Sequence, residues 1–171
     1  MKYFSNESGF DCFRSSLCNL LLEFNDLKTA NLVFSNFQNH RFTQDSETLG
    51  INIALTTKLV RDLTNQKYNA VLQTPGFNYD VFNQPYQVYD SKLAKKMSKC
   101  ILKEFDRENI ILTQTSEIFS DNYILSTNSK KLNIGHFLVQ RNDGYQINDG
   151  IIQKVPKHQD ISAILQLYKT K

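Results

Sequence analysis

Residues 11–24 of the chain read DCFRSSLCNLLLEF, and this stretch decides the fold. Asp11 stands where an N-cap residue belongs, because a short acidic side chain can accept from the free N–H groups of a first helical turn. Apolar side chains then recur at the three- and four-residue spacing of one helical face, namely Phe13, Leu17, Leu20, Leu21 and Phe24. The pattern therefore predicts a helix that begins at Cys12 and buries one stripe.

The position of Cys12 favours a reactive thiol. At a helix start, the positive end of the helix dipole and the unpaired backbone N–H groups stabilise a thiolate and lower the pKa of the thiol. Cys18 and Cys100 lie within helical patterns and read as small buried apolar side chains. Cysteines without regular spacing predict neither a disulfide framework nor a zinc site. Cys12 is therefore the candidate nucleophile.

A thiolate nucleophile needs a nearby base, and His136 is the candidate because it begins an apolar strand that leads into a hairpin turn at residues 142–144. If the first two residues of that stretch form the turn, His136 lies opposite Asp149 on one face of a sheet. A carboxylate there would orient the imidazole, the third role in a catalytic triad. If Asp143 and Gly144 form the turn instead, the pairing of the two strands shifts and His136 no longer lies opposite Asp149. Asn148 is the competing candidate for the residue that orients His136.

The rest of the chain predicts helices first and an antiparallel sheet afterwards. Further helices are predicted at about 27–37, 51–63, 90–105 and 159–168, and strands at 67–73, 110–113, 123–126, 137–140 and 145–148. No repeat or linker is visible, so residues 1–171 are interpreted as a single α+β domain. We expect an N-terminal helical half, carrying the helix of Cys12, to pack on the C-terminal sheet.

Composition excludes several classes of function. A net charge of +3 on 171 residues, without a basic cluster, gives no reason to expect nucleic-acid binding. The sequence contains no apolar run of about 18 residues, so no membrane span is expected. The polar N-terminus does not resemble a signal peptide, which favours a cytoplasmic protein. No metal or other cofactor is predicted, and the sequence leaves the oligomeric state open.

Two stretches resemble the bacterial peptidases that process Gly-Gly bacteriocin leaders, which occur as domains of ABC exporters and as free-standing relatives. The helix at residues 11–24 is similar to their active-site helix, which carries Asp or Glu before the Cys and an aliphatic stripe after it. Residues 135–139 read GHFLV, which looks like their Gly-His-Phe-Val-Val strand. Asp149-Gly150 stands where the family has Asp-Pro.

The resemblance implies a papain-like fold and a thiol hydrolase acting on a peptide or acyl substrate. Carried over to this chain, the triad is Cys12, His136 and Asp149. The family also has a Gln six residues before the Cys that helps to form the oxyanion hole, and Asn6 stands at that position. Asn offers the same amide donor with a shorter reach, so the resemblance implies Asn6 as the oxyanion donor.

This chain departs from the family in two regions. Phe13 and Arg14 replace a Gly and a small residue, so we expect a bulky group beside the nucleophile that narrows the choice of substrate. Residues from 75 to about 120 are interpreted as an insertion that the family lacks.

Three functions fit the sequence, beside a fourth interpretation in which the chain is a soluble α+β interaction protein whose motif matches arise by chance. The first is a cysteine peptidase or amidase, and the second is a thiol acyltransferase of natural-product biosynthesis that uses the same triad with an amine as acceptor. The third is a non-catalytic peptide-binding module that kept the fold. Selective alkylation of Cys12 would separate the first two from the third.

Overall fold

The computed structural model describes residues 2–6, 11–41, 43–44, 51, 53–73, 110–111, 120–129, 134–157, 159 and 161–171. Within these residues the chain has an α+β architecture in which helices precede most of a sheet. The helix predicted at about 90–105 and most of the predicted insertion at 75–120 lie outside the described residues. The single-domain organisation stays a prediction.

Within the described residues, three α-helices form the helical half: α1 at Cys12–Glu23, α2 at Leu27–Asn36 and α3 at Thr56–Leu63. Short 3₁₀ turns at Phe37–Asn39 and Ile53–Leu55 flank α2 and α3. The predictions at 12–24, 27–37 and 51–63 are thus confirmed as helices. Among the described helices, none is long and apolar enough to cross a membrane.

Helix α1 is the centre of the core. Its predicted apolar stripe is confirmed, because Phe13, Leu17, Leu20 and Leu21 are fully buried. It contacts α2 on one side and the sheet on the other. A helix enclosed by two layers has few positions that face solvent, which explains why nearly every residue of α1 is buried. The first residue of α1 is consequently held in one place by packing on both sides.

Seven strands form one sheet. Their bounds are Tyr68–Gln73 (β1), Ile110–Ile111 (β2), Tyr123–Ser129 (β3), Ile134–Gln140 (β4), Tyr145–Asn148 (β5), Ile151–Lys154 (β6) and Ile161–Lys169 (β7). The spatial order is β2-β1-β7-β3-β4-β5-β6. Every neighbouring pair is antiparallel except β1 and β2, which are parallel. The predicted strands are therefore present, and β6 is an additional one.

The helix predicted at 159–168 is wrong, because Ile161–Lys169 forms β7 in the middle of the sheet. Ala163, Leu165 and Leu167 face the main core, while Ile164 packs in a second cluster on the opposite face. A strand covered on both faces loses the alternation of apolar and polar residues, and its continuous apolar run then looks like a buried helix.

The predicted register of the β4–β5 hairpin is also wrong. Val139 pairs with Ile147 and Gln140 with Gln146, one residue away from the register that sets His136 opposite Asp149. The cause is a three-residue loop at 142–144 whose last residue, Gly144, has a φ of +84°. The last residue of such a loop needs a left-handed backbone conformation, which glycine adopts without strain.

A second hairpin joins β5 to β6 through a two-residue turn. Asn148 pairs with Ile151, and the residues between them, Asp149 and Gly150, have φ values of +52° and +82°. Two positive φ values are the signature of a type I′ turn, whose twist matches that of the strands it joins. This turn packs on the N-terminal segment, because a Cβ on Gly150 would lie 2.9 Å from the carbonyl oxygen of Phe4.

Candidate thiol site

Cys12 is the first residue of α1, as predicted, and only 7% of its surface is exposed. Asp11 occupies the N-cap position, but its side chain makes no capping hydrogen bond. The Asp11 carboxylate lies instead 3.5 Å from the Arg14 guanidinium. The first N–H groups of an α-helix have no partner within the helix. The backbone N–H of Cys12 is one of these groups.

The pKa of His136, on β4, is raised to about 9, mainly by its interaction with the side chain of Cys12 and against burial, which lowers it. A hydrogen bond to Asn148 and electrostatic interactions with Cys12 and Asp149 also raise the pKa. The imidazole is therefore held in its protonated form next to the sulfur at neutral pH.

Asn148, the last residue of β5, is in direct contact with the imidazole. Its Oδ1 lies 2.7 Å from Nε2 of His136. Because an amide oxygen can only accept, Nε2 must carry the hydrogen, and this leaves Nδ1 as the nitrogen available to Cys12. Asp149 follows in the exposed turn and acts on His136 through its charge. Of the two predicted orienting residues, the structure thus brings Asn148 into contact with the base.

Asn6 lies at the N-terminus of α1, as the resemblance implies. Its Oδ1 accepts a hydrogen bond of 3.0 Å from the backbone N–H of Asp11. This bond fixes which end of the amide faces the helix, because only the oxygen can accept from an N–H. The Nδ2 group of Asn6 is consequently the end that points away from the Asp11 amide. The side chain is half-buried.

Phe13 and Arg14, the two bulky residues that follow Cys12, each contact other elements of the fold. Phe13 is fully buried, with its ring 5.1 Å from that of Phe137 and 6.3 Å from that of Phe37. Arg14 lies over the ring of Phe34 at 3.8 Å from the centroid and donates to the Phe34 carbonyl oxygen at 2.6 Å. Residues that follow the first residue of a helix turn away from it by about 100° each. Both side chains therefore serve the packing of α1 on its neighbours.

The other described cysteine and histidine have structural surroundings. Cys18 is fully buried and contacts the carbonyl oxygen of Ala30 at 3.4 Å. Burial raises the pKa of its thiol to about 12, so it stays protonated. His40 lies at a bend that is distant from Cys12 in sequence. Its Nε2 is 2.8 Å from the carboxylate of Asp62. Cys100 and His158 lie outside the described residues.

No family model, no curated protein and no solved structure matches this chain. Among the described residues there is also no group of three or more His, Cys, Asp or Glu that could hold a metal ion. What the site can do chemically therefore follows from its own side chains. The thiol of Cys12, the imidazole of His136 and the amide oxygen of Asn148 are the kinds of group that serve as nucleophile, base and orienting group in a catalytic triad.

Replacing Asn148 with Ala should lower the pKa of His136, since the hydrogen bond that favours the protonated imidazole is lost. The ring also loses the contact that fixes its orientation, so any reaction that depends on His136 should slow by about 100-fold. NMR titration of the imidazole gives the pKa. An unchanged pKa in the Asn148→Ala variant would show that Asn148 does not act on the base.

Proposed function

We propose that the protein is a papain-like thiol enzyme that transfers an acyl group from a peptide or amide to Cys12 and then to water. The observation that carries this proposal is the grouping of Cys12, His136 and Asn148, in which Asn148 contacts the imidazole and Cys12 raises its pKa. This arrangement leaves a protonated base beside Cys12 and fixes which ring nitrogen faces Asn148. A purely structural cysteine needs neither feature.

In the proposed acylation step, the Cys12 sulfur attacks the substrate carbonyl carbon and forms a carbon–sulfur bond. The negative charge that develops on the carbonyl oxygen is stabilised by the backbone N–H of Cys12 and by Nδ2 of Asn6. His136 then donates its Nδ1 proton to the departing amine, and the carbon–nitrogen bond breaks. The products are a thioester on Cys12 and a free amine.

In deacylation, neutral His136 accepts a proton from a water molecule as the water oxygen attacks the thioester carbon. The same donors stabilise the second oxyanion. The carbon–sulfur bond breaks, a carboxylic acid leaves, and the proton returned to His136 restores the starting pair. An amine in place of water would give the acyltransferase reaction with the same residues. Product analysis with and without amine acceptors therefore separates the two outcomes.

The papain-like part of the proposal is supported by the placement of the nucleophile and base. Cys12 begins the central helix, and His136 and Asn148 come from neighbouring antiparallel strands that pack on that helix. In this arrangement the helix supplies the nucleophile and backbone N–H groups, and the sheet supplies the base and its partner. Rigid elements on both sides hold the reacting atoms in register.

Alkylation at pH 6 tests the proposal, with Cys18 as an internal control in the same chain. We expect iodoacetamide to modify Cys12 faster than a free cysteine peptide, because a thiolate paired with imidazolium reacts at a pH where an ordinary thiol is protonated. Cys18 should stay unmodified in the folded protein, since it is fully buried. Peptide mapping by mass spectrometry distinguishes the two sites. Labelling of Cys12 no faster than that of the peptide would refute the proposal.

The pH profile of amide cleavage should have an alkaline limb near pH 9. The pKa of His136 is raised above its usual 6.5 to about 9, so the proton needed by the leaving amine is present below that pH and lost above it. We expect kcat/KM, which reports the free enzyme, to fall as the pH rises through this range. Alkylation by iodoacetamide releases no amine and should not fall with it. A parallel decrease in both rates would contradict this assignment of the proton donor.

A further inference from the structure

The segment that carries Asn6, residues 2–6, is called the arm below. It runs along α1 in the opposite direction to the helix. The Tyr3 hydroxyl donates to the carboxylate of Glu23, at the end of α1, while Asn6 accepts from the N–H of Asp11, at its beginning. The arm therefore spans the helix from one end to the other.

Asn19 holds the middle of the arm by two hydrogen bonds. Its Oδ1 accepts from the backbone N–H of Phe4 at 2.7 Å, and its Nδ2 donates to the carbonyl oxygen of Phe4 at 2.9 Å. Only 2% of Asn19 is exposed. Burying an amide is costly unless its polar atoms are paired, and here both ends of the amide are paired with one residue of the arm.

The arm is enclosed from the other side as well. A Cβ on Gly150 would lie 2.9 Å from the Phe4 carbonyl oxygen, so the β5–β6 turn reaches the arm closely only because it has no side chain there. The Phe4 ring packs on Phe34 with centroids 4.8 Å apart. Phe4 is thus fixed by α1, by α2 and by the turn that follows Asn148.

We propose that Asn19 is a positioning residue for oxyanion stabilisation, because it fixes Phe4 and thereby sets where Asn6 presents its amide. This inference rests on the proposed function of the site. Asn6 follows Phe4 by two residues, a span of at most about 7 Å, so a shift at Phe4 is passed on along the backbone. Asn19 lies seven residues after Cys12, about two helical turns, which places it on the side of α1 that the arm follows.

Two reactions of Cys12 distinguish this role from a general loss of structure. Cleavage of an amide or ester passes through an oxyanion, whereas iodoacetamide reacts by displacement of iodide at a saturated carbon and forms no oxyanion. We expect Asn19→Ala to lower kcat for ester or amide cleavage by about 10- to 100-fold, with the alkylation rate of Cys12 changed by less than about twofold. Asn19→Ser, a neutral residue whose hydroxyl can form at most one of the two hydrogen bonds with Phe4, should fall between wild type and Asn19→Ala.

A double-mutant cycle tests whether Asn19 acts through Asn6. Asn6→Ala alone should lower kcat by about 100- to 1,000-fold, the usual cost of removing one oxyanion donor. Asn19→Ala added to Asn6→Ala should then cost nothing further, because the residue it positions is already gone. Tyr3→Phe is the matched control, since it removes a hydrogen bond from the distant end of the arm and should leave kcat unchanged.

Equal losses of cleavage and alkylation in the Asn19 variants, or additive losses in the double variant, would overturn the inference. If Asn19→Ala does not fold, as judged by circular dichroism and thermal melting, Asn19→Ser is measured by the same two criteria. Failure of the proposed function gives a different result. In that case the unsubstituted protein shows no selective alkylation of Cys12 and no cleavage, before any variant is made.

Discussion

Replacing Cys12 with Ala should abolish turnover, with a loss of about a millionfold, the cost of removing the nucleophile of a catalytic triad. The thiol supplies the only atom that becomes covalently bonded to the substrate in the proposed reaction. Without it, His136 and Asn148 have no nucleophile to activate. Cleavage of an activated ester, followed with purified variant and wild type at equal concentration, measures the effect.

Cys18→Ser is the matched control for that substitution. Cys18 lies in the same helix, and a serine hydroxyl can keep the contact that its sulfur makes with the carbonyl oxygen of Ala30. The control variant should retain wild-type turnover. Substantial turnover by Cys12→Ala, or an equal loss in both variants, would mean that the reaction does not proceed through a bond to Cys12.

Phe13→Ala should lower the free energy of unfolding by about 3–5 kcal/mol, the range found when a buried phenylalanine is truncated. Phe13 is fully buried and joins α1 to the sheet through Phe137 and to the helical half through Phe37. No single neighbour can fill the space that its ring leaves. Urea denaturation followed by circular dichroism gives the difference between the variant and wild type.

Leu27→Ala provides the comparison for a residue outside the core. Leu27 is a large apolar side chain that is 58% exposed at the start of α2, so its truncation should change the free energy of unfolding by no more than about 0.5 kcal/mol. A similar small change for Phe13→Ala would show that Phe13 is not an anchor between the two layers.

The parts of the fold that the sequence predicts are those with a one-sided periodic pattern. The apolar side chains of α1 recur at helical spacing, and Tyr68, Ala70 and Leu72 of β1 alternate toward the main core, so both elements were expected. Strand β7 is covered on both faces, so its periodicity is lost. Strand β6 is short, with Ile151 and Ile152 both exposed, and therefore gives no alternating signal.

The same distinction holds for the candidate site. Cys12 and His136 stand at or near the start of predicted elements, so their positions follow from local sequence, whereas Asn6 was implied only by the resemblance. The partner of His136 depends on the number of residues in the 142–144 loop, and one residue decides between Asn148 and Asp149. Asn19 was not predicted, because the signal is only a polar residue within an otherwise apolar helix. Its partner, the Phe4 backbone, is provided by tertiary structure.

The central position of β7 has a consequence for how the sheet opens. It pairs with β1 along six residue pairs and with β3 on its other side, so it alone connects the strands next to α3 with the strands that carry His136 and Asn148. Local fraying cannot release β7 without separating the sheet into two parts. Its amide hydrogens should therefore exchange with solvent only through global unfolding. Those of the edge strand β6 should exchange through smaller openings that leave the rest of the sheet paired.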